Sequence, residues 1–204
     1  MRFFVVIPAA GRSTRMGRCK LSLPVGNVTL IEKVIEPYRQ AGLGPIAVAL
    51  RRADEDLAPV VHRAGAEVCW LDRDTAHMRQ TVEWALDFVQ RQWQPSDCDA
   101  WFLHPADHPL VSGIALSQLV EATRRFEGQA WVPVTGGQRG HPVLIRWAAI
   151  PQLRTFAADL GINAWLRHLG HRVVEVVVSD SGVLVDVDTP ADYRRLQQVT
   201  RMDT

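Results

Sequence analysis

Apolar residues along this chain fall into two patterns. Short unbroken runs rich in β-branched residues alternate with stretches where apolar residues recur every three or four positions. The first kind predicts strands buried on both faces, and the second predicts amphipathic helices. Residues 3–7 (FFVVI) form the first strand, which stops abruptly at Pro8-Ala9-Ala10-Gly11. Thr29-Leu30-Ile31-Glu32 fits a capping box. Leu30, Ile31, Val34, Ile35, Tyr38 and Ala41 then make a helical stripe ending at Gly42. Pro37 is expected to kink or shorten that helix. Further strands are predicted over 45–50, 66–71, 100–103, 130–134, 143–145, 173–178 and 183–187. Helices are predicted over 54–64, from Met78 through Val89, from Ser112 to Phe126, and near 162–169. The last helix opens at Thr189-Pro190-Ala191-Asp192, with proline in its first turn and an acid against the positive dipole end.

Strands alternating with helices predict an α/β fold with a mostly parallel sheet. No repeat, low-complexity tract or Gly/Ser-rich linker interrupts it, so residues 1–204 read as a single domain. In such sheets ligands collect beyond the carboxyl ends of strands, where the strand order switches.

Composition narrows the class. The chain has 204 residues, with 47% hydrophobic and 22% charged, as in ordinary soluble domains. With 23 basic and 22 acidic residues the net charge is +1, so bulk attraction to nucleic acid or membrane is not expected, and any basic site must be local. Cys19, Cys69 and Cys98 are odd in number and form no CxxC pair, which argues against a disulfide framework or thiolate zinc site. The first apolar run, about five residues, is too short for a signal-peptide core or a membrane span. A reducing cytoplasm is the expected compartment.

Four stretches could carry chemistry. The loop after the first strand offers small residues for close backbone approach, free N–H groups for phosphate oxygens, forked donors at Arg12 and Arg15, and a point charge at Lys20. Five residues separate Gly11 from Gly17, so GxGxxG is absent, as is the GK[ST] of a P-loop. A plain strand-to-helix turn with surface arginines is the alternative. His104-Pro105-Ala106-Asp107-His108-Pro109 follows the fourth strand. Asp107 there suits Mg²⁺, which favours a carboxylate or two plus substrate phosphates. The alternatives are an Asx turn, or a metal pair of His104 and His108, against which the two prolines argue. In Gly136-Gly137-Gln138-Arg139-Gly140-His141-Pro142, glycines permit close approach, and Arg139 and His141 could meet an anion. A flexible hairpin loop fits equally. Finally, strand alternation would place Asp186 and Asp188 on one side, a costly pairing without a cation or proton between them. Capping the last helix is the other role open to Asp188. His62, His77, His168 and His171 have no identifiable partner and are assigned to the surface, and the tryptophans to core packing. Arg51-Arg52 could mimic a dinucleotide 2′-phosphate site, a reading weakened by the missing GxGxxG.

Together these stretches resemble the MobA-like nucleotidyltransferases, most closely the molybdenum cofactor cytidylyltransferase branch. AAGRSTRMGRCK is similar to that family's AAGxSxRMGxxK, and Ala106-Asp107-His108-Pro109 to its GDxP. Residues 137–144 match GxxGHPxL, and 186–193 match DIDTPxDY. The resemblance spans nearly the whole chain in the right order. It implies a Rossmann-like three-layer sandwich of the nucleotide-diphospho-sugar transferase type. The implied reaction transfers CMP from CTP to the phosphate of molybdopterin cofactor and releases pyrophosphate, with Mg²⁺ required and a molybdoenzyme as a further partner. In that reading Arg15, Lys20 and Asp107 are catalytic. Ala9, Ala10, Gly11, Arg12, Ser13, Arg15, Lys20, Thr81 and Asp107 bind nucleotide. Asp107, Asp186 and Asp188 hold the metal, and Arg139, Gly140 and His141 lie near the second substrate. The chain departs from the pattern at Ala106, where the family has glycine. It departs again over 76–81, where a glycine followed by serine near the base is replaced by AHMRQT, with Thr81 as the candidate hydroxyl. A sugar or polyol phosphate acceptor, and a cofactor carrier without transfer chemistry, are the other functions considered.

Overall fold

The structure, a computed structural model, describes residues 1–202. Its strands are β1 (Phe3–Pro8), β2 (Pro24–Val25), β3 (Val28–Thr29), β4 (Ile46–Arg51), β5 (Glu67–Leu71), β6 (Ala100–Leu103), β7 (Ala130–Thr135), β8 (Gln138–Arg139), β9 (Val143–Arg146) and β10 (Val173–Val177). Its helices are α1 (Leu30–Gln40), α2 (Ala58–Arg63), α3 (Met78–Trp93), α4 (Gly113–Arg125), α5 (Ile150–Thr155), α6 (Ile162–Leu169) and α7 (Pro190–Met202).

The main sheet runs in the order β10-β7-β9-β6-β1-β4-β5, with β8 hydrogen-bonded to β7. β1 pairs in parallel with β4 and β6, β4 with β5, and β7 with β10. β9 runs antiparallel between β6 and β7. Its direction follows from the hairpin before it. Gly136 and Gly137 both take positive φ, 56° and 76°, as a two-residue turn matched to strand twist requires. The 135–141 stretch is therefore a hairpin, with Thr135 registered against Gln138.

Residues of β1 alternate between two cores. Val5 and Ile7 face α1, α2, α4 and α7, meeting Leu30, Val34, Val61, Leu116 and Leu196. Phe4 and Val6 face α3, α5 and α6, meeting Val82, Leu86, Leu153 and Trp165. This is the three-layer arrangement expected, and burying each such large side chain contributes about 1.5–3 kcal/mol. Strand placement then creates the site. From β1 the chain steps outward through β4 to β5, and it returns to lay β6 on the other side of β1. The loops after β1 and β6 diverge at that reversal, where open α/β sheets bind ligands.

Some local expectations are corrected. Pro37 does not end α1, which continues to Gln40. In the last turn, proline removes only the hydrogen bond to the Lys33 carbonyl. The helix expected over 54–64 divides into a 3-10 segment, Arg52–Leu57, followed by α2. No strand forms over 183–187; Ser181–Leu184 is a 3-10 turn. Asp180 fixes it, accepting at 2.8 Å from the backbone N–H groups of Gly182 and Ser112. The segment is cross-linked rather than paired: His141 N donates to the Val183 carbonyl, and Val187 N donates to the Asp107 carbonyl at 2.9 Å. No helix among the described residues is long and apolar enough to cross a membrane.

Candidate active site

The loop leaving β1 is closed on Ser13. Its hydroxyl accepts from Lys20 N at 3.2 Å, and its carbonyl accepts from Met16 N at 2.9 Å. Ser13 holds a left-handed conformation (φ 49°), which costs a non-glycine residue about 1–2 kcal/mol. Ala9 donates its N–H to Ala49 and is buried in the core, so it supports the loop without offering a donor. Among the described residues, the N–H groups of Ala10, Gly11, Arg12 and Ser13 donate to no protein acceptor. Four consecutive free donors in this loop offer an anion cradle to a ligand that approaches it.

Lys20 stands behind this cradle, largely buried. Its Nζ donates to Asp107 Oδ2 at 2.9 Å, Asp188 Oδ1 at 3.0 Å and the Val187 carbonyl at 2.9 Å. Arg15 reaches Asp188 Oδ2 at 2.9 Å. Burial alone would raise Asp188, but the hydrogen bonds and charges of Lys20 and Arg15 outweigh it and hold the carboxyl below its ordinary range. The basic loop and the two acidic segments therefore meet. Asp186 does not join them: it lines a separate hollow with Leu110, Val185 and Asp192. Strand alternation over 183–187 predicts Asp186 and Asp188 on one side; the segment forms no strand, so that alternation does not apply. Asp188 does not cap α7 with its side chain; Thr189 and Asp192 form that box, with Asp192 Oδ2 accepting from Thr189 N at 2.7 Å. Among the described residues, no three of His, Cys, Asp and Glu stand together as a metal site.

The segment after β6 is pinned by His104. This ring is fully buried; Nδ1 lies 2.8 Å from the Tyr38 hydroxyl, and Nε2 lies 2.8 Å from the His108 carbonyl. A carbonyl only accepts, so Nε2 carries the proton and Nδ1 accepts from Tyr38. Burial lowers the His104 pKa to about 3. His104 is thus a structural strut, not half of a metal pair with His108. Ala106 has no positive φ, so the family glycine is replaced without strain.

A cleft of about 570 Å³ opens between the β1 loop and α3, lined by Ala10, Gly11, Arg12, Asp74, Thr75, His77, Thr81 and Asp107, among others. Arg12 pairs with Asp74 across it. Thr81 is buried, and its hydroxyl lies 2.6 Å from that of Thr75. His77 is exposed, as assigned from sequence, and it also caps α3, its ring accepting from Gln80 N at 3.3 Å. Its position just before the stripe beginning at Met78 was the available signal. Asp74 and Thr75 had none, since each acts on a residue distant in sequence or outside any periodic pattern. Arg51 also lines the cleft, but its guanidinium is paired with Asp54.

Arg139, Gly140 and His141 line a second hollow of about 280 Å³, with Asn163 and Arg167. Arg139 is paired with Glu175 at 2.8 Å. Gly140 is obligatory, because a Cβ there would lie 2.4 Å from the Val183 carbonyl oxygen. The His141 ring packs 4.8 Å from that of His108, the neighbour of Asp107, which links this hollow to the acidic lip. Burial lowers both imidazoles, His141 to about 4, so both are neutral at pH 7.

An open α/β sheet whose switch point joins an anion cradle to an acidic lip defines a nucleotide-handling protein. Residues 5–173 match the MobA-like NTP transferase domain. The chain belongs to that family and is a nucleotidyltransferase. No curated protein sequence matches it. Among solved structures, it is similar to the homologue of Mycobacterium tuberculosis Rv0371c from Mycobacterium sp. strain JC1, at 24% identity over 100% of both chains with a TM-score of 0.83. It is also similar to Rv0371c of M. tuberculosis H37Rv in complex with manganese, at 25% identity over 97% of this chain and 99% of that one, TM-score 0.75. The Methanothermobacter nucleotidyl transferase Mth528 superposes with a TM-score of 0.82 at 21% identity, covering 100% of this chain and 99% of its own.

Proposed function

We propose that the protein transfers a cytidylyl group from CTP to the phosphate of molybdopterin cofactor, with Mg²⁺ as its divalent ion. The observation that carries this reading is a cleft lined by Ala10, Gly11, Arg12 and Asp107, where backbone N–H groups lack an acceptor and Asp107 shares the Lys20 ammonium with Asp188. The N–H groups of 10–13 receive phosphate oxygens. Arg15 and Lys20 offset charge on the departing pyrophosphate. Thr75 and Thr81 form part of the wall against which the base rests, and Ala9-Ala10 replaces the Gly-Gly of the guanylyl branch. An oxygen of the acceptor phosphate attacks the α-phosphorus in line as the bond to the β-phosphate oxygen breaks. Nothing on the chain becomes covalently attached, so positioning and charge stabilisation are its whole contribution.

Asp107 and Asp188 suit Mg²⁺, since two hard carboxylate oxygens and the Val187 carbonyl already converge on a single cation, the Lys20 ammonium. Bound there, the ion supplies Lewis acidity at a phosphoryl oxygen. The manganese complex of Rv0371c supports a divalent ion. The hollow at Arg139, Gly140 and His141 receives the acceptor, joined to Asp107 through the two packed imidazoles. Three free cysteines fit a reducing cytoplasm, where the product would pass to a molybdoenzyme.

Pyrophosphate release with CTP, Mg²⁺ and molybdopterin cofactor tests this. Lys20→Ala and Asp107→Ala should each lower turnover by about 100-fold or more, with an unchanged circular dichroism spectrum. Wild-type turnover in both variants would overturn the assigned roles.

A further inference from the structure

The amino-terminal end of the sheet carries a second basic hollow, of about 480 Å³, lined by Glu127, Gly128, Gln129, Arg146, His171 and Arg172. It lies where β7 and β10 begin and the antiparallel β9 ends, so it opens at the opposite edge of the sheet from the nucleotide cleft. Its frame is rigid. Gln129 N donates to the Arg172 carbonyl at 2.8 Å, and Arg146 N donates to the Gln129 carbonyl at 2.9 Å, tying the three strand ends together. Both arginines are held by their inner nitrogens. Arg146 Nε donates to the Gly128 carbonyl at 2.8 Å, and its guanidinium stacks 5.2 Å over the Trp131 ring. Arg172 Nε donates to the Leu169 carbonyl at 3.2 Å, and one Nη donates to Gln152 Oε1 at 3.3 Å.

The outer nitrogens are left over. Among the described residues, neither Nη of Arg146 nor the second Nη of Arg172 has an acceptor. Gln129 lines the same hollow, and its Oε1 is buried and lacks a donor. Glu127 adds an exposed carboxylate to the hollow. Anchored forks with free tips match the oxygens of a phosphoryl group. An orphaned acceptor on a residue lining the same hollow asks for a donor on the same ligand.

We infer that this hollow binds a phosphate monoester carrying an adjacent ammonium or hydroxyl. The phosphoryl group meets Arg146 and Arg172, and the donor meets Gln129 Oε1, with Glu127 favouring an ammonium. The site is independent of the nucleotide cleft, and its volume suits a small metabolite.

Calorimetric titration with O-phosphoethanolamine, ethyl phosphate and inorganic phosphate tests this. O-phosphoethanolamine should bind tightest. Arg146→Lys, which keeps the charge and removes the fork, should weaken all three by about tenfold. Gln129→Leu should bring O-phosphoethanolamine down to the affinity of ethyl phosphate, and Lys20→Ala should leave its binding unchanged. Quenching of tryptophan fluorescence on binding should be reduced in Trp131→Phe. Equal affinity for all three compounds, indifference to Arg146→Lys, or loss of binding in Lys20→Ala would each overturn the assignment.

Discussion

The Nζ of Lys20 is shared by oxygens from segments 87 and 168 positions further along the chain, and His104 ties Tyr38 on α1 to the loop that carries Asp107. Both residues fix the acidic lip. Lys20 keeps its partners while the carboxylates are charged. His104 stays neutral because its ring is fully buried, where a positive charge would lose its hydration. The unfolded chain takes up a proton there near pH 6.5, and the folded chain only near 3. The unfolded state therefore binds more protons over this interval, and stability falls as pH drops below about 6.5. The expected loss from His104 is about 2 kcal/mol between pH 6.5 and 5. His141 adds a loss of the same sign. Asp188, held low by its cations, adds another only as pH falls through the carboxylate range. Urea unfolding of wild type and His104→Gln at pH 7 and pH 5 checks this: the variant should show a clearly smaller pH difference. An equal difference in both would refute the account.

At the scale of elements, α3 supports the cleft and also builds α5. Arg79 is buried, and its Nη groups donate to the carbonyls of Leu153, Phe156, Ala157 and Leu160, while Nε pairs with Glu83 at 2.8 Å. One guanidinium thus satisfies the end of α5 and the turn after it. Arg79→Met should destabilise the protein by about 1–3 kcal/mol, because four carbonyls, that of Leu153 buried, lose their donor. A midpoint of chemical denaturation within error of wild type would refute this. The same contact shows why α5 was not legible in the sequence. Ile150–Thr155 has only Ile150 and Leu153 buried, too few for a periodic stripe, and its support comes from a residue more than 70 positions away. By contrast, β6 and α6 fall where the sequence puts them, and Thr29 and Ser112 cap the helices expected. Those features rest on neighbouring residues alone. The 183–187 run has the residues of a strand, but Gly182 packs with no room for a Cβ against the Leu110 carbonyl, and the chain is spent on cross-links instead. Lys20, Asp107 and Asp188 could be brought together from sequence because each lies near the loop edge of the sheet. The Arg12–Asp74 pair and the buried Thr75–Thr81 contact depend on how α3 leans over that edge, which no local pattern encodes.

At the scale of the molecule, the reversal of strand order gathers loops from β1, β6 and the chain after β10 at one edge. A ligand bound there holds three distant parts of the chain and should stabilise the whole fold. At about 100 times its Kd it contributes about 2.7 kcal/mol, or a rise in Tm of roughly 5–10 °C for a chain of this size. With Mg²⁺ present, CTP should give the largest rise among CTP, GTP, UTP and ATP in a thermal-shift assay. A larger rise with GTP would reassign the base.

Lys20 gives the resting protein a built-in counter-ion. Two carboxylates facing one another would otherwise repel and push their loops apart whenever divalent ions run short. With the ammonium parked between them, the lip keeps its shape in a chelating medium. On the proposed function, an arriving divalent ion would exchange with a tethered amine that stays within reach of the same two loops.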